Sequence, residues 1–173
     1  MQTVLFIGLV WPEPQSSAAG TRIVQLISLF SEAGFRVLFA SAASKTPYSY
    51  PLSAQGVEEV PIKLNDSSFD DVVQAMQPDA VVLDRFMIEE QYGWRIRQHA
   101  PQALTILDTE DLHLLRAARQ EAYKKNATIN LYNETAKREV AAIWRTDLSL
   151  IISRQEMAIL RERFKIPESI LYY

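Results

Sequence analysis

Short apolar runs recur along this chain, and each is followed by a longer segment whose apolar residues fall three and four apart. That alternation is the pattern of βαβ units, in which each strand is succeeded by a helix that packs back on the sheet. The runs are VLFIGLV (4–10), VLFAS (37–41), VEEVPI (57–62), AVVLD (80–84), LTILD (104–108) and LSLIIS (148–153). Most are apolar at successive positions, as strands are when helices cover both faces of a parallel sheet. The third run differs: it alternates, carries Glu58 and Glu59, and sets Pro61 where a ladder donor would be needed. Such a strand belongs at an edge, which is the place of the third strand in the doubly wound order 3-2-1-4-5-6. The expected fold is an α/β, three-layer, Rossmann-like domain, a doubly wound parallel sheet of about six or seven strands in the order 3-2-1-4-5-6(-7).

Helical spacing fills the gaps. Ile23, Leu26, Ile27 and Phe30 make one apolar face, with Gly34 placed to end that helix. Ser67 or Ser68, with Asp70 and Asp71 three residues on, predicts a capping box ahead of Val72, Val73 and Met76. Leu112, Leu115, Ala118 and Ala122 predict a further helix, and Met157, Leu160 and Phe164 a last one before Pro167. Residues 42–56 and 124–133 lack periodicity and read as surface loops. Ile170, Leu171, Tyr172 and Tyr173 read as the opening of another strand, so residues 1–173 are expected to be one N-terminal domain whose C-terminal partner domain is absent. An exposed apolar patch at the carboxyl rim of the strands or near the last helix would follow.

Composition narrows the function. At 173 residues and 48% hydrophobic, the chain can build a core without staples. It has no cysteine and two histidines, His99 and His113, which removes thiolate chemistry and makes a metal cluster a poor expectation. A net charge of −3 argues against bulk nucleic-acid binding. No apolar run approaches the roughly 20 residues of a spanning helix, and the N-terminus lacks the basic flank of a signal peptide. The expectation is a cytoplasmic protein, at most peripheral to the inner face of the membrane, with no tight membrane association.

The loop after the first strand decides the cofactor. It reads GLVWPEPQSSAAGTR, with neither G-x-G-x-x-G nor a Walker A pattern. The second strand ends in Ser41, Ala42, Ala43 and Ser44, without the carboxylate that holds an adenosine ribose. No nicotinamide or flavin cofactor is expected.

Three stretches together resemble the N-terminal, acceptor-side domain of GT-B-fold glycosyltransferases, in particular the group sharing the family-4, or group 1, type of acceptor domain. They are SSAAGTRIVQLISLFSEAGFRVLFAS (16–41), ILDTEDLHLLR (106–116) and LIISRQEMAILRERFKIPESILYY (150–173). The chain departs from the family where Ala19 precedes Gly20 in place of Gly-Gly, and where Glu110 precedes Asp111 in place of His-Asp, with His113 displaced. The resemblance implies that a nucleotide-sugar is co-substrate, that no metal is needed, that the sugar passes to a carbohydrate or other acceptor hydroxyl, and that a C-terminal domain grips the donor. This domain alone would then be inactive. It leans toward retention at the anomeric carbon.

Ligands of open α/β sheets sit beyond the carboxyl ends of the strands where the strand order reverses. There the chain places Ala19, Gly20, Thr21 and Arg22 at the start of the first helix, suited to an anion through free N–H groups and a cationic fork. Asp84 and Arg85 follow strand four and could bind acceptor hydroxyls or only each other. Glu110 and Asp111 follow strand five as candidate catalytic carboxylates, though an aspartate there is also an ordinary helix cap. His113, Arg116, Gln120 and Tyr123 share one polar stripe that faces either an acceptor or solvent. Trp11, Trp94 and Trp144 read as core or loop anchors, with Trp11 near enough to the cleft to stack on a sugar. A sugar-nucleotide epimerase of the same fold and a non-catalytic interaction module remain alternatives.

Overall fold

The computed structural model describes residues 1–173. A single sheet of seven parallel strands runs in the order β3-β2-β1-β4-β5-β6-β7, the doubly wound arrangement that the apolar runs predict. The strands are β1 (Thr3–Gly8), β2 (Arg36–Ser41), β3 (Glu58–Pro61), β4 (Ala80–Asp84), β5 (Leu104–Asp108), β6 (Leu148–Leu150) and β7 (Leu171–Tyr172). Pro61 lies on edge strand β3, opposite Ser41, where its missing N–H interrupts no central ladder.

The two faces are covered unequally. Val4, Phe6, Val37, Phe39 and Val82 point toward α1 (Ala18–Glu32) and a 3-10 turn (Leu52–Gln55), which cover that face alone. Leu5, Ile7, Leu38, Val81 and Leu83 point to the larger core built with the later helices. These are α2 (Ser68–Met76), a helical segment at 86–99, α5 (His113–Lys125), α6 (Glu134–Arg145) and α7 (Arg154–Phe164). Burial on both faces is why the strands read as continuous apolar runs. On the α1 side the sheet beyond β4 lacks a covering helix, so Leu104 keeps 43% and Tyr172 51% of its surface exposed. Ile152 and Tyr173 are exposed at the carboxyl end of β6 and β7. No helix is long and apolar enough to cross a membrane.

Several local expectations need correction. Ser67 caps α2 without a side-chain bond; Asp66 instead accepts from the Ser68 N–H at 2.9 Å, and Asp70 is taken by Arg95 at 2.6 Å. No capping box forms. Trp94 and Trp144 are half-exposed helix residues, not core anchors.

Two helical segments escape the periodicity of the sequence. Residues 86–99 comprise a turn of α-helix, α3 (Phe86–Ile88), a wide π turn (Glu89–Gly93) and a further helix, α4 (Trp94–His99). The buried apolar residues Ile88, Tyr92, Ile96 and Ala100 fall four apart, with the π turn between the first and third of them and the charged or polar Glu89, Glu90 and Gln91 interleaved. Helix α6 buries Ala136, Ala142 and Ile143 with Glu139 among them, and a glutamate inside an alanine stripe hides its apolar face.

Candidate functional site

The functional candidates meet at the carboxyl ends of β1, β4 and β5. Asp84 ends β4 and stands in register with Asp108 at the end of β5, both aspartates on the α1 side. Asp84 accepts a bond from the Leu9 N–H at 3.1 Å and lies 3.2 Å from the Arg85 Nε. Burial raises its pKa, the neighbouring charge of Asp108 adds to that, and Arg85 opposes it.

Arg85 is held in a left-handed conformation with φ of 73° while its N–H bonds to the Asp108 carbonyl at 2.8 Å. Glu110, on the next strand exit, has φ of 62°. Non-glycine residues adopt this region at a cost, of order 1–3 kcal/mol each, and persist there when the surroundings enforce it. Two such residues on adjacent strand ends mark the rim as specialised.

Arg22 is already engaged. Its Nε meets Asp108 Oδ1 at 2.9 Å and Oδ2 at 3.2 Å, and its Nη2 meets Oδ1 at 2.9 Å, pinning α1 to β5. The cationic fork read from the sequence is thus a link between elements, and Arg85 is the basic side chain that faces the cavity here. That cavity, about 110 Å³, is bounded by Trp11, Ser17, Ala19, Gly20, Asp84 and Arg85. Ser17 caps α1 by accepting from the Gly20 N–H at 3.0 Å. Thr21 turns its hydroxyl to the Pro14 carbonyl at 3.0 Å, holding the loop and not the cavity. Trp11 is buried against Phe39 and donates its indole N–H to the Ala43 carbonyl at 2.7 Å.

Gly20 is required by the close approach of that loop. A Cβ there would lie 2.5 Å from the main-chain carbonyl of Glu13. Gly20→Ala is expected to cost about 1–3 kcal/mol, as overpacking against backbone does, and urea unfolding of the variant reads the loss directly.

Beyond β5, Thr109 anchors the chain through its hydroxyl to the Leu150 carbonyl at 2.8 Å, and Glu110 follows, half-buried. Burial raises the Glu110 pKa, with the charges of Asp111 and Asp84 adding and Arg85 opposing. Arg85 therefore serves both Asp84 and Glu110. Asp111 is clasped by Arg116, whose Nε meets Oδ2 at 3.0 Å and whose Nη2 meets Oδ1. Gln120 and Tyr123, further along the same stripe, face solvent.

Asp111 does not cap α5. Two carboxylates from distant helices do: Glu139 of α6 accepts from the His113 and Leu114 N–H groups at 3.1 and 2.8 Å, and Glu156 of α7 accepts from the Leu112 N–H at 3.1 Å. The free N–H groups and dipole of a helix start favour such anions. His113 sits among them, with Nδ1 3.0 Å from the Asp111 carbonyl and 3.6 Å from Glu139, and its ring edge-on to Phe86. The nearby Glu139 carboxylate is the main reason its pKa is raised; burial opposes that.

A histidine whose pKa is higher folded than unfolded lends stability below its unfolded value, near 6.5, and that stability drains away as pH climbs through the folded value. The unfolding midpoint is therefore expected to fall as pH rises from below about 6.5 through the raised pKa, and to do so less in His113→Gln. Thermal scans across that window check it.

Sequence reasoning placed Ala19, Gly20, Thr21, Arg22, Asp84, Arg85, Glu110 and Asp111 on one rim, with His113 on the helical stripe that follows. The fold brings Ala19, Gly20, Asp84 and Arg85 to one cavity, with Glu110 coupled to it through Arg85 and Asp84. Asp111 and His113 belong to a neighbouring group at the start of α5. Glu139 was missed, because a glutamate set among Ala136, Ala142 and Ile143 masks the apolar face of its helix.

The architecture is a GT-B-like Rossmann fold. Among solved structures it is similar to sucrose-phosphate synthase from Thermosynechococcus elongatus, with a TM-score of 0.55 and 15% identity over 94% of this chain and 45% of that one. A second structure of that synthase, marked as twinned, matches with a TM-score of 0.50 and 12% identity over 92% and 81% of the two chains. The chain thus spans less than half of the first of these. No protein-family model matches the chain, and no curated protein does.

Proposed function

We propose that the chain is the acceptor-side domain of a glycosyltransferase of the family-4 type, which moves a sugar from a nucleotide-sugar donor to an acceptor hydroxyl. The observation that carries this reading is the pair of positive-φ residues at adjacent strand ends, Arg85 beside buried Asp84 in the lining of the α1 cavity and Glu110 after β5. The GT-B-like fold supports it. So does the sequence resemblance of 16–41, 106–116 and 150–173.

In this reading the N–H groups of Ala18 and Ala19, which the Ser17 cap leaves without partners, face the donor diphosphate together with Arg85. Charge that builds on the departing diphosphate is stabilised by donors already in place. Asp84 and Glu110 hold the acceptor hydroxyl. As the acceptor oxygen bonds to the anomeric carbon and the bond to the diphosphate breaks, Glu110 receives the hydroxyl proton. Arg22 and Asp108 fix α1 against β5, while Asp111, Arg116 and His113 hold the turn that carries Glu110. The donor's nucleotide and sugar are gripped by a second domain.

Product analysis of the protein carrying this domain, supplied with nucleotide-sugars and acceptors, tests the function. A glycosylated acceptor is expected; an epimerised nucleotide-sugar formed without acceptor overturns the transferase reading. Calorimetry on these 173 residues is expected to find weak donor binding, and micromolar affinity would contradict the proposed division between domains.

A further inference from the structure

A second cavity opens at the same rim, on the other side of the loop that follows β1, and its volume is about 240 Å³. Leu9, Ala43, Leu64, Ile88, Gln91 and Tyr92 are among its walls. Leu9 links the two cavities: its side chain lines this one, while its N–H bonds to Asp84 at 3.1 Å in the other. No ionised side chain is part of the lining. The Gln91 amide and the Tyr92 hydroxyl, which lies 3.5 Å from the Lys63 carbonyl, are its polar side-chain groups.

The wall formed by Ile88, Gln91 and Tyr92 is the π turn together with the residue that precedes it. Wide turns of this kind interrupt regular helices and recur at functional sites. Here the turn is fixed from behind by Glu89, a fully buried carboxylate held by Arg97 at 3.0 Å and by Arg145, whose Nε meets it at 2.9 Å. Gly93 makes room for it, since a Cβ there would lie 2.5 Å from Glu89 Oε1.

We infer that this cavity binds an uncharged apolar group, an aryl ring or a short alkyl chain, carried on the molecule whose hydroxyl is presented to Asp84 and Glu110. The inference rests on the acceptor role proposed for that site and narrows the acceptor class to an amphipathic alcohol or glycoside. Size supports it, because a dry cavity of about 150 Å³ already accepts benzene. Chemistry supports it too: a bare sugar ring would bury hydroxyls against these walls without partners, whereas an apolar group loses nothing by leaving water.

The test titrates the chain with n-octyl β-glucoside, below its micelle concentration, and with methyl β-glucoside and hexanol, following methyl and backbone NMR signals. The octyl glucoside is expected to bind at least about tenfold more tightly than the methyl one, as several buried methylenes imply, with shifts at Ile88, Ala43 and Leu9. Ala42→Phe and Leu64→Asp, both at exposed positions in the lining, are expected to abolish that tenfold preference with an unchanged unfolding midpoint. Equal affinity for the two glucosides, or shifts scattered over the surface and indifferent to both variants, overturns the inference. Hexanol binding at Ile88, together with no response of Asp84 or Glu110 to either glucoside, supports the apolar site and defeats the acceptor reading beside it.

Discussion

Under the proposed transferase function, Glu110→Gln is expected to slow glycosyl transfer by about 10²- to 10⁴-fold, the range that a positioned general base contributes, while leaving the fold intact. The side chain is half-buried and its pKa is raised, mainly by burial, so that it holds and releases a proton closer to neutrality than an ordinary glutamate. Asp111, adjacent in sequence, is neutralised by Arg116 and has less freedom to act as a base. Asp111→Asn is therefore expected to have the smaller effect. Kinetics of the protein carrying this domain separate the two, because loss of a base lowers kcat and removes the acidic limb of its pH profile, whereas loss of a positioning contact mainly raises KM. Equal losses in both variants, with an unchanged pH profile, would remove the base from the proposed mechanism. The left-handed backbone at Glu110 invites a companion measurement. Glu110→Gly is expected to relieve that conformation, so the domain should unfold no more readily than the parent while its transfer activity is lost.

Glu139→Ala is expected to lower stability by about 2–6 kcal/mol, since two N–H groups at the start of α5 lose their acceptor and each buried orphan costs about 1–3 kcal/mol. Only 1% of the Glu139 surface is exposed, so water cannot replace it without opening the packing between α5 and α6. Glu139→Gln keeps a carbonyl oxygen at the same reach and is expected to recover most of the loss. Guanidinium unfolding of both variants measures the difference. The His113 pKa supplies an independent readout: without the carboxylate that raises it, the histidine should titrate lower, visible in its ring NMR signals. A Glu139→Ala domain with unchanged stability would show that the two helices hold together without this cap.

Much of the fold was legible because each central strand is buried on both faces, so its apolar run is unbroken and its order can be argued from the one strand that differs. Glu58, Glu59 and Pro61 marked the edge, and β3 is at the edge. What local reasoning could not see were the elements whose apolar face is interrupted for a tertiary reason. The segment 86–99 buries the carboxylate of Glu89 within its π turn, and α6 carries Glu139 where periodicity demands an aliphatic side chain.

The site divides in the same way. Loop position after a strand of known order was enough to set Gly20, Asp84, Arg85 and Glu110 on one rim, because strand ends in a parallel sheet all point the same way. Partnership was not encoded locally. That Arg22 belongs to Asp108, Asp111 to Arg116 and the start of α5 to Glu139 depends on distances between residues as far as 86 positions apart in sequence. Chain order therefore determined which residues stand at the rim; only packing decided which of them pair with one another, as Arg22 does with Asp108 and Asp111 with Arg116, and which line the cavity beside α1, as Asp84 and Arg85 do.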